Sequence, residues 1–224
     1  RPDPSIRQVG FQETDIVSMA VPVTKYATMV TRPEDIRYEL EKALYISQEG
    51  RPGPVLLDLP LNVQKSAIDP DKLFGFEHDN ESAGFDRSGI ERKIDLLIED
   101  LRQAKRPVLL VGGGVRLADG ADEVRAVASE LGIPAFPTWN ALDIVTSDFE
   151  YYGGRVGTYG GAGRNFGIQN SDLLVAIGSR ISGRITGGNI HSFARGAKKY
   201  VVDVDPTLLQ AKLQQVPFDV NIRS

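Results

Sequence analysis

Two short apolar runs, Pro107–Val111 and Leu173–Ile177, each end directly on glycine. A run of this length without a polar residue is too short to span a bilayer and lacks the one-sided pattern of a surface helix. It fits a strand buried on both faces, which is what a parallel sheet covered by helices provides. The surrounding sequence supplies the rest of that architecture. Ile90–Ala104 reads as an amphipathic helix with Ile94, Leu97, Ile98 and Leu101 on one face. Arg106–Val111 is a strand, Gly112-Gly113-Gly114 a sharp turn, and Ala121–Leu131 a helix closed by Gly132. Further strands are expected at Pro134–Thr138, Leu173–Ile177 and Lys199–Val204, with a glycine-rich loop over Asp143–Gly163. Short helices are expected at Asn165–Asn170 and from Thr207 to Leu213. Strand, turn and helix in repetition indicate an α/β fold, Rossmann-like, with a mostly parallel sheet flanked by helices.

The first third reads differently. Thr31-Arg32-Pro33-Glu34 has the form of a capping box, with Pro in the first turn. Ile36, Leu40, Ala43, Leu44 and Ile46 follow at helical spacing, and Gly50 suits a left-handed helix stop. Val55–Leu59 reads as a buried strand bounded by Pro60, and the strands it should join are expected to lie outside this sequence. From Val63 to Gly89 the periodicity is lost and Gly, Pro, Asp and Asn accumulate, as in a connector. Phe74 and Phe76 are expected to pin that connector to a surface.

Several functions are excluded early. With no cysteine there is no disulfide framework, no thiolate metal site and no Cys nucleophile. The net charge is -4 with acids and bases interspersed, so there is no basic footprint for nucleic acid or an anionic membrane. His78 and His191 have no metal-ligand spacing around them, and Asp119-Gly120 sits in no metal-binding pattern. The phosphate-loop GxxxxGK[ST] and the GxSxG of serine hydrolases are absent. The first residues, Arg1-Pro2-Asp3-Pro4-Ser5, carry neither Met nor an apolar leader, so the expectation is a chain that starts inside a longer protein.

Open parallel sheets bind ligands at the carboxyl ends of their strands. Gly112-Gly113-Gly114 follows one strand, and Gly178-Ser179-Arg180 with Arg184 follows another. Asp203-Val204-Asp205 follows a third, and Gly153 to Gly163 lies between. Glycines allow close approach of a backbone to a pyrophosphate, Arg pairs with phosphate, and Asp accepts from ribose hydroxyls. Each has a plainer account. The glycines can make a tight turn, the arginines can pair on the surface, and Asp203 or Asp205 can cap the helix that Pro206 begins. The nicotinamide fingerprint GxGxxG is not met, because Leu117 stands where its third glycine would fall. It is the combination after several strands that favours a ligand.

In order along the chain, several segments resemble thiamine-diphosphate enzymes, in particular the acetolactate synthase large subunit. They are Phe11-Gln12-Glu13-Thr14, Pro22-Val23-Thr24-Lys25, the stretch from Gly50 through Asp58-Leu59-Pro60 to Gln64, and Pro107 to Gly114. Gly154 to Gly160, Ser171 to Arg180, Arg184-Ile185-Thr186-Gly187 and Val202-Asp203-Val204-Asp205-Pro206 continue the series. The family usually has Gly-Met-His-Gly where Gly157-Thr158-Tyr159-Gly160 stands, and commonly Asp-Asp at Ser182-Gly183.

The resemblance implies that residues 1–65 are the C-terminal part of a pyrimidine-binding α/β domain, 66–87 a linker, and 88–224 the central domain. It implies decarboxylation of a 2-keto acid, most simply pyruvate, and condensation with a second 2-keto acid, as in branched-chain amino acid biosynthesis. Thiamine diphosphate and Mg²⁺ would be held by parts absent here, so this chain alone is expected to be inactive, with no metal site of its own. FAD is the cofactor implied for the central domain. Its implied contacts are Arg51, Gly112, Gly113, Gly114, Thr138, Trp139, Asn140, Val156, Gly157, Thr158, Tyr159, Gly178, Ser179, Arg180, Ser182, Arg184, Ile185, Asp203 and Val204. Phe11, Gln12 and Lys25 match positions near the substrate channel. A cytoplasmic homodimer or homotetramer, with a small regulatory subunit as a further partner and neither nucleic acid nor membrane, completes the expectation. The alternatives are a non-catalytic nucleotide-binding or assembly module and a related thiamine-diphosphate enzyme without FAD.

Overall fold

The computed structural model describes residues 14–78, 86–207, 209 and 216–223. The chain divides into two compact units, Arg1–Ala83 and Gly84–Ser224.

In the first unit a short helix α1 (Ile16–Ala20) is capped by Asp15, whose carboxylate accepts the Ser18 amide at 3.1 Å. Strand β1 (Tyr26–Met29) leads through a 3-10 turn at Pro33–Asp35 into helix α2 (Ile36–Gln48). The cap expected of Thr31 is not observed. A proline disfavours the helical conformation in the residue before it, and Arg32 is extended, so the turn begins at Pro33 and the α-helix at Ile36. Gly50 adopts φ +56° as the chain turns towards β2 (Val55–Asp58). β2 pairs in parallel with β1, Tyr26 opposite Val55 and Met29 opposite Asp58. A partner strand is therefore present in the sequence after all. It is the half-buried Tyr26–Met29, which has no apolar run to announce it. Helix α3 (Leu61–Gln64) follows Pro60. The connector is pinned as expected: Phe74 and Phe76 each lie 5.5 Å from Tyr38 of α2, and His78 stacks on Tyr45 at 4.2 Å.

The second unit opens with α4 (Arg87–Gln103), whose cap Asp86 accepts the Gly89 amide at 2.9 Å. Then come β3 (Pro107–Val111), α5 (Gly114–Leu117), α6 (Ala121–Leu131), β4 (Ala135–Pro137) and α7 (Ala162–Gln169). They are followed by β5 (Leu173–Ile177), α8 (Gly183–Thr186), β6 (Lys198–Asp203) and β7 (Val220–Arg223). The five strands form one wholly parallel sheet in the order β4-β3-β5-β6-β7. β7 was not foreseen. Most of the helix expected over 207–213 lies outside the described residues.

Strand side chains alternate between two cores, one on each face of the sheet. Val108, Leu110, Leu174, Ala176 and Val201 join Ile168 of α7 on one face. Leu109, Val111, Leu173, Val175 and Tyr200 join Val124 and Ala128 of α6 on the other, with Leu97 and Leu101 of α4 against them. Each fully buried aliphatic side chain contributes about 1.5–3 kcal/mol, so the two-sided burial dominates the unit's stability. Asp172 aligns the leading ends of β3 and β5 by accepting the amides of Lys105 (2.8 Å) and Arg106 (2.9 Å). Burial works to raise its carboxyl, but those amides outweigh it and hold the group below the ordinary carboxylate value.

Candidate functional site

The strand order reverses between β3 and β5. One connection leaves β3 towards β4 and the next returns across to β5, so the loops at their carboxyl ends part over a crevice. Glycines bring the loop bases together. Gly112 donates its N–H to Ile177 at 2.9 Å and Gly114 to Gly178 at 3.0 Å. A Cβ on Gly114 would lie 2.7 Å from the Cα of Gly178, and one on Gly112 would lie 2.7 Å from the Cα of Ser179. Gly178 itself has φ +58°. Gly113 faces a third loop, because its Cβ would lie 2.9 Å from that of Asn140. The glycines at 112, 114 and 178 thus seat backbone against backbone, and the amides of Gly112 and Gly114 are committed within the protein.

Thr138 extends the pairing beyond β4 by donating its amide to Val111 at 2.8 Å, and it leads into a 3-10 turn at Trp139–Ala141. Beside it Arg116 of α5 pairs with Asp143, and that pairing first of all holds the Asp143 carboxyl below its usual range. After β5, Ser179 is buried and Ile181 takes φ +48°, which is unusual for a β-branched residue and costs about 1–3 kcal/mol. The compensation is its burial in the core with Leu174 and Ala176. That anchor leaves Arg180, Ser182 and Arg184 exposed on either side.

The loop before α7 joins the same edge. Gly157, at φ +101°, lies against the carbonyl of Arg184, and that carbonyl accepts both the Thr158 amide (2.9 Å) and the Thr158 hydroxyl (3.1 Å). Asn165 of α7 clasps Gly157 from behind. Its Oδ1 accepts the Gly157 N–H at 2.9 Å and its Nδ2 donates to the Gly157 carbonyl at 3.0 Å. Nothing in the residue pattern marked Asn165 or Ile181 as important, since neither is of a type that contacts a ligand by default. Asn165→Ala is expected to cost about 1–2 kcal/mol. It should also raise the hydrogen-exchange rates of the Gly157 and Thr158 amides about tenfold. Unchanged exchange would show that the clasp does not hold the loop.

Beyond the clasp the side chains converge. Tyr159 and Trp139 lie 5.4 Å apart between ring centroids, and the Arg184 guanidinium sits 5.9 Å from the Trp139 ring. Val156, Gly157, Thr158 and Ile185 share a cleft of about 210 Å³ with Asn165, Gln169 and Phe193. A larger apolar cleft of about 550 Å³ opens at the opposite, amino end of the strands between Leu101, Leu131 and Phe166, and no candidate residue lines it. Asp203 ends β6 on the same edge as the glycine loops. Its Oδ1 accepts the Asp205 amide at 3.0 Å, while Asp205 accepts from the amide and hydroxyl of Thr207. Asp205 thus closes a local turn at Thr207, the helix it was expected to cap lies mostly outside the described residues, and Val204 lies half-buried between the two aspartates.

The remaining candidates belong to the first unit or fall outside the described residues. Lys25 and Arg51 belong to the first unit, where the Lys25 ammonium donates to the carbonyls of Glu49 (2.5 Å) and Arg51 (3.1 Å). Phe11 and Gln12 lie outside the described residues. Among the described residues no group of three or more His, Asp or Glu could hold a metal ion, and no helix is long and apolar enough to cross a membrane. What gathers at the sheet edge is exposed guanidinium, aromatic ring and backbone, an arrangement suited to holding a phosphate-bearing ring compound rather than to proton transfer.

Comparison with known proteins gives this edge a context. The family model described as "Thiamine pyrophosphate enzyme, central domain" matches residues 94–222, which take in the five-stranded sheet almost entirely. The acetolactate synthase large subunit of Corynebacterium glutamicum is 39% identical over 92% of this chain and 32% of its own length. Acetolactate synthase isozyme 2 large subunit of Escherichia coli is 33% identical over 95% of this chain and 37% of its own. A probable acetolactate synthase large subunit of Methanococcus aeolicus is 35% identical over 88% and 33%. The chain spans about a third of the length of these relatives.

Proposed function

The chain belongs to the thiamine pyrophosphate enzyme family, whose central domain it matches over residues 94–222, and from that premise we propose that it is the middle of an acetolactate synthase-like enzyme. The observation that carries this reading is the likeness to acetolactate synthase large subunits along nearly the whole chain, across both compact units. The full-length protein would decarboxylate one 2-keto acid, most simply pyruvate, and join the remainder to a second. Thiamine diphosphate, with Mg²⁺, supplies the electron sink for that chemistry when bound. Residues 1–65 would end the pyrimidine-binding domain, with Phe11, Gln12 and Lys25 near the substrate channel, and 66–87 would link it to the central domain at 88–224. The assembly would be a cytoplasmic homodimer or homotetramer, with a small regulatory subunit as a further partner.

The second unit's own task would be to hold FAD. Support comes from the chemistry at the sheet edge. Exposed Arg180 and Arg184 offer charge for a diphosphate, and Trp139 and Tyr159 offer ring faces. Asp203 retains carboxylate acceptor capacity for ribose hydroxyls. None of these groups is asked to move a proton.

The purified full-length protein is expected to bind thiamine diphosphate with Mg²⁺ in calorimetry and to show flavin absorption near ~450 nm. Failure to bind thiamine diphosphate would overturn the enzymatic reading. A colourless protein that binds thiamine diphosphate but takes up no added FAD would remove the flavin and leave the family reaction.

A further inference from the structure

The apolar cleft at the amino end of the strands lies away from the carboxyl edge, where open parallel sheets ordinarily bind. Its volume of about 550 Å³ falls within the roughly 300–1,000 Å³ of small-molecule sites. Three helices end around it. α4 brings Leu101 and Ala104, α6 brings Leu131, and α7 brings Phe166 and Gly167. Buried Phe136 of β4 lines it from the sheet. Phe166 is 67% exposed and Leu131 48%. Single exposed apolar residues are ordinary, but two large ones lining one concavity leave apolar surface in water that an occupant would cover favourably.

The charge on the lining is all of one sign. Lys105 and Arg106 border the cleft, both exposed, and among the described residues no Asp or Glu lines it. The Arg106 Nε donates to the carbonyl of Asn170 at 2.7 Å, so this side chain ties the start of β3 to the end of α7. Negative charge close to these cations is already engaged. Asp172 accepts the amides of Lys105 and Arg106, one on each carboxylate oxygen. Helix C-termini carry partial negative charge on their last carbonyls. At α6, however, the carbonyls of Ser129 and Ala128 accept the amides of Gly132 and Ile133, and beyond α7 the Asn170 carbonyl accepts from Arg106. Two full positive charges thus border an apolar concavity. The chemistry that complements it is an apolar body with one anionic end.

We propose that this cleft binds a small aliphatic monocarboxylate, with its chain between Leu131 and Phe166 and its carboxylate on Lys105 and Arg106. A protein partner would need about 800 Å² on each side, whereas this concavity has the scale of one small ligand. A neutral or cationic chain of the same length would cover the same apolar surface and leave both cations unanswered. The site does not depend on what the carboxyl edge of the sheet holds, so it stands whether or not the second unit takes a flavin.

Saturation-transfer NMR on the full-length protein tests this with octanoate, octanol and octylamine, which share one chain and differ in the charge of the head. Octanoate is expected to bind with a Kd about tenfold below that of octanol, the scale of one charge-assisted hydrogen bond, and octylamine more weakly than either. Lys105→Gln should raise the octanoate Kd about fivefold and leave octanol unchanged, while Phe166→Ala should weaken both. Both side chains are exposed, and circular dichroism matching the parent's confirms that the variants fold. Equal binding of the three probes, or preference for octylamine, would overturn the carboxylate. No binding of any probe would overturn the ligand site. In that case a change of sedimentation in Phe166→Ala would give the cleft to a second copy of the chain instead.

Discussion

Gly178→Ala is expected to lower the melting temperature of the second unit by roughly 10 °C, or to prevent its folding. Two costs add. A left-handed φ of +58° is unfavourable for any residue with a Cβ, by about 1–2 kcal/mol. The new Cβ would also lie 2.7 Å from the Val115 nitrogen and 2.8 Å from the Gly114 Cα. Both obstacles are backbone atoms at the start of α5, just after β3, so no side chain can swing aside, and overpacking of this kind costs about 1–3 kcal/mol more. Together they come to about 3 kcal/mol. Gly163→Ala is the matched control. Gly163 lies in α7 with nothing within 4 Å of its Cβ position, and alanine there should be neutral to slightly stabilising. Thermal unfolding followed by circular dichroism reads both. Equal melting of Gly178→Ala and the parent would mean that the two loops do not touch.

Asp100→Ala should cost about 2–3 kcal/mol, mostly by orphaning a buried hydroxyl. Tyr200 is fully buried in β6, and its phenol donates to Asp100 of α4, which also pairs with Lys198 at 2.6 Å. This polar join fastens α4 to a sheet face otherwise held by apolar contact. Tyr200→Phe removes the hydroxyl itself and should cost less. The double variant should then be less damaged than the two single losses summed, because the partners share one interaction. Burial works to raise the Asp100 carboxyl, but the hydrogen bonds from Lys198 and Tyr200 and the Lys198 charge overcome it and depress the group. Burial first, then the bond to Asp100, drives the Tyr200 phenol far above its usual value, with Asp219 adding to the effect. A depressed carboxyl stabilises above its unfolded value near about 4, and that stability is lost as pH falls through the lowered native value. A raised phenol stabilises below about 10, and that stability is lost only as pH rises through the raised native value. The pair therefore contributes fully across the neutral range. Asp100→Asn should make acid unfolding less steep by the share of this one carboxyl. An acid limb identical to the parent's would refute the assignment.

How far the sequence told this in advance depended on whether a residue's role lay in its own chemistry. β5 was visible residue by residue, and β3 to within Arg106, since two-sided burial excludes polar residues from the run. The end of α6 was visible because Gly132 takes the left-handed conformation there. β1 and β7 were not, because Tyr26–Met29 is half-buried throughout and Val220–Arg223 has a single buried residue, Ile222, so that their strand character comes from the neighbour's hydrogen bonds. The Pro33 turn displaced the Thr31 cap because proline constrains the residue before it as well as itself. At the candidate site, the residues after the strands could be named from the topology of parallel sheets alone. The seating of Gly112 and Gly114 on Gly178 could not, nor could the Asn165 clasp or the buried left-handed Ile181. Each of these depends on two segments meeting in space, and a single sequence records only one side of each meeting.

The glycine seat between β3 and β5 also bears on how such a domain can change over time. Its geometry uses no side-chain chemistry, so it is indifferent to which ligand lies above it, yet it tolerates almost no substitution. The groups that would choose the ligand, Trp139, Tyr159 and Arg184, hang from exposed positions whose replacement leaves that seat untouched. A lineage can therefore exchange, weaken or discard its bound molecule by altering a few outward-facing side chains while inheriting the same sheet. Descendants with different cofactors, or none, would be separated by steps that never pass through an unfolded ancestor.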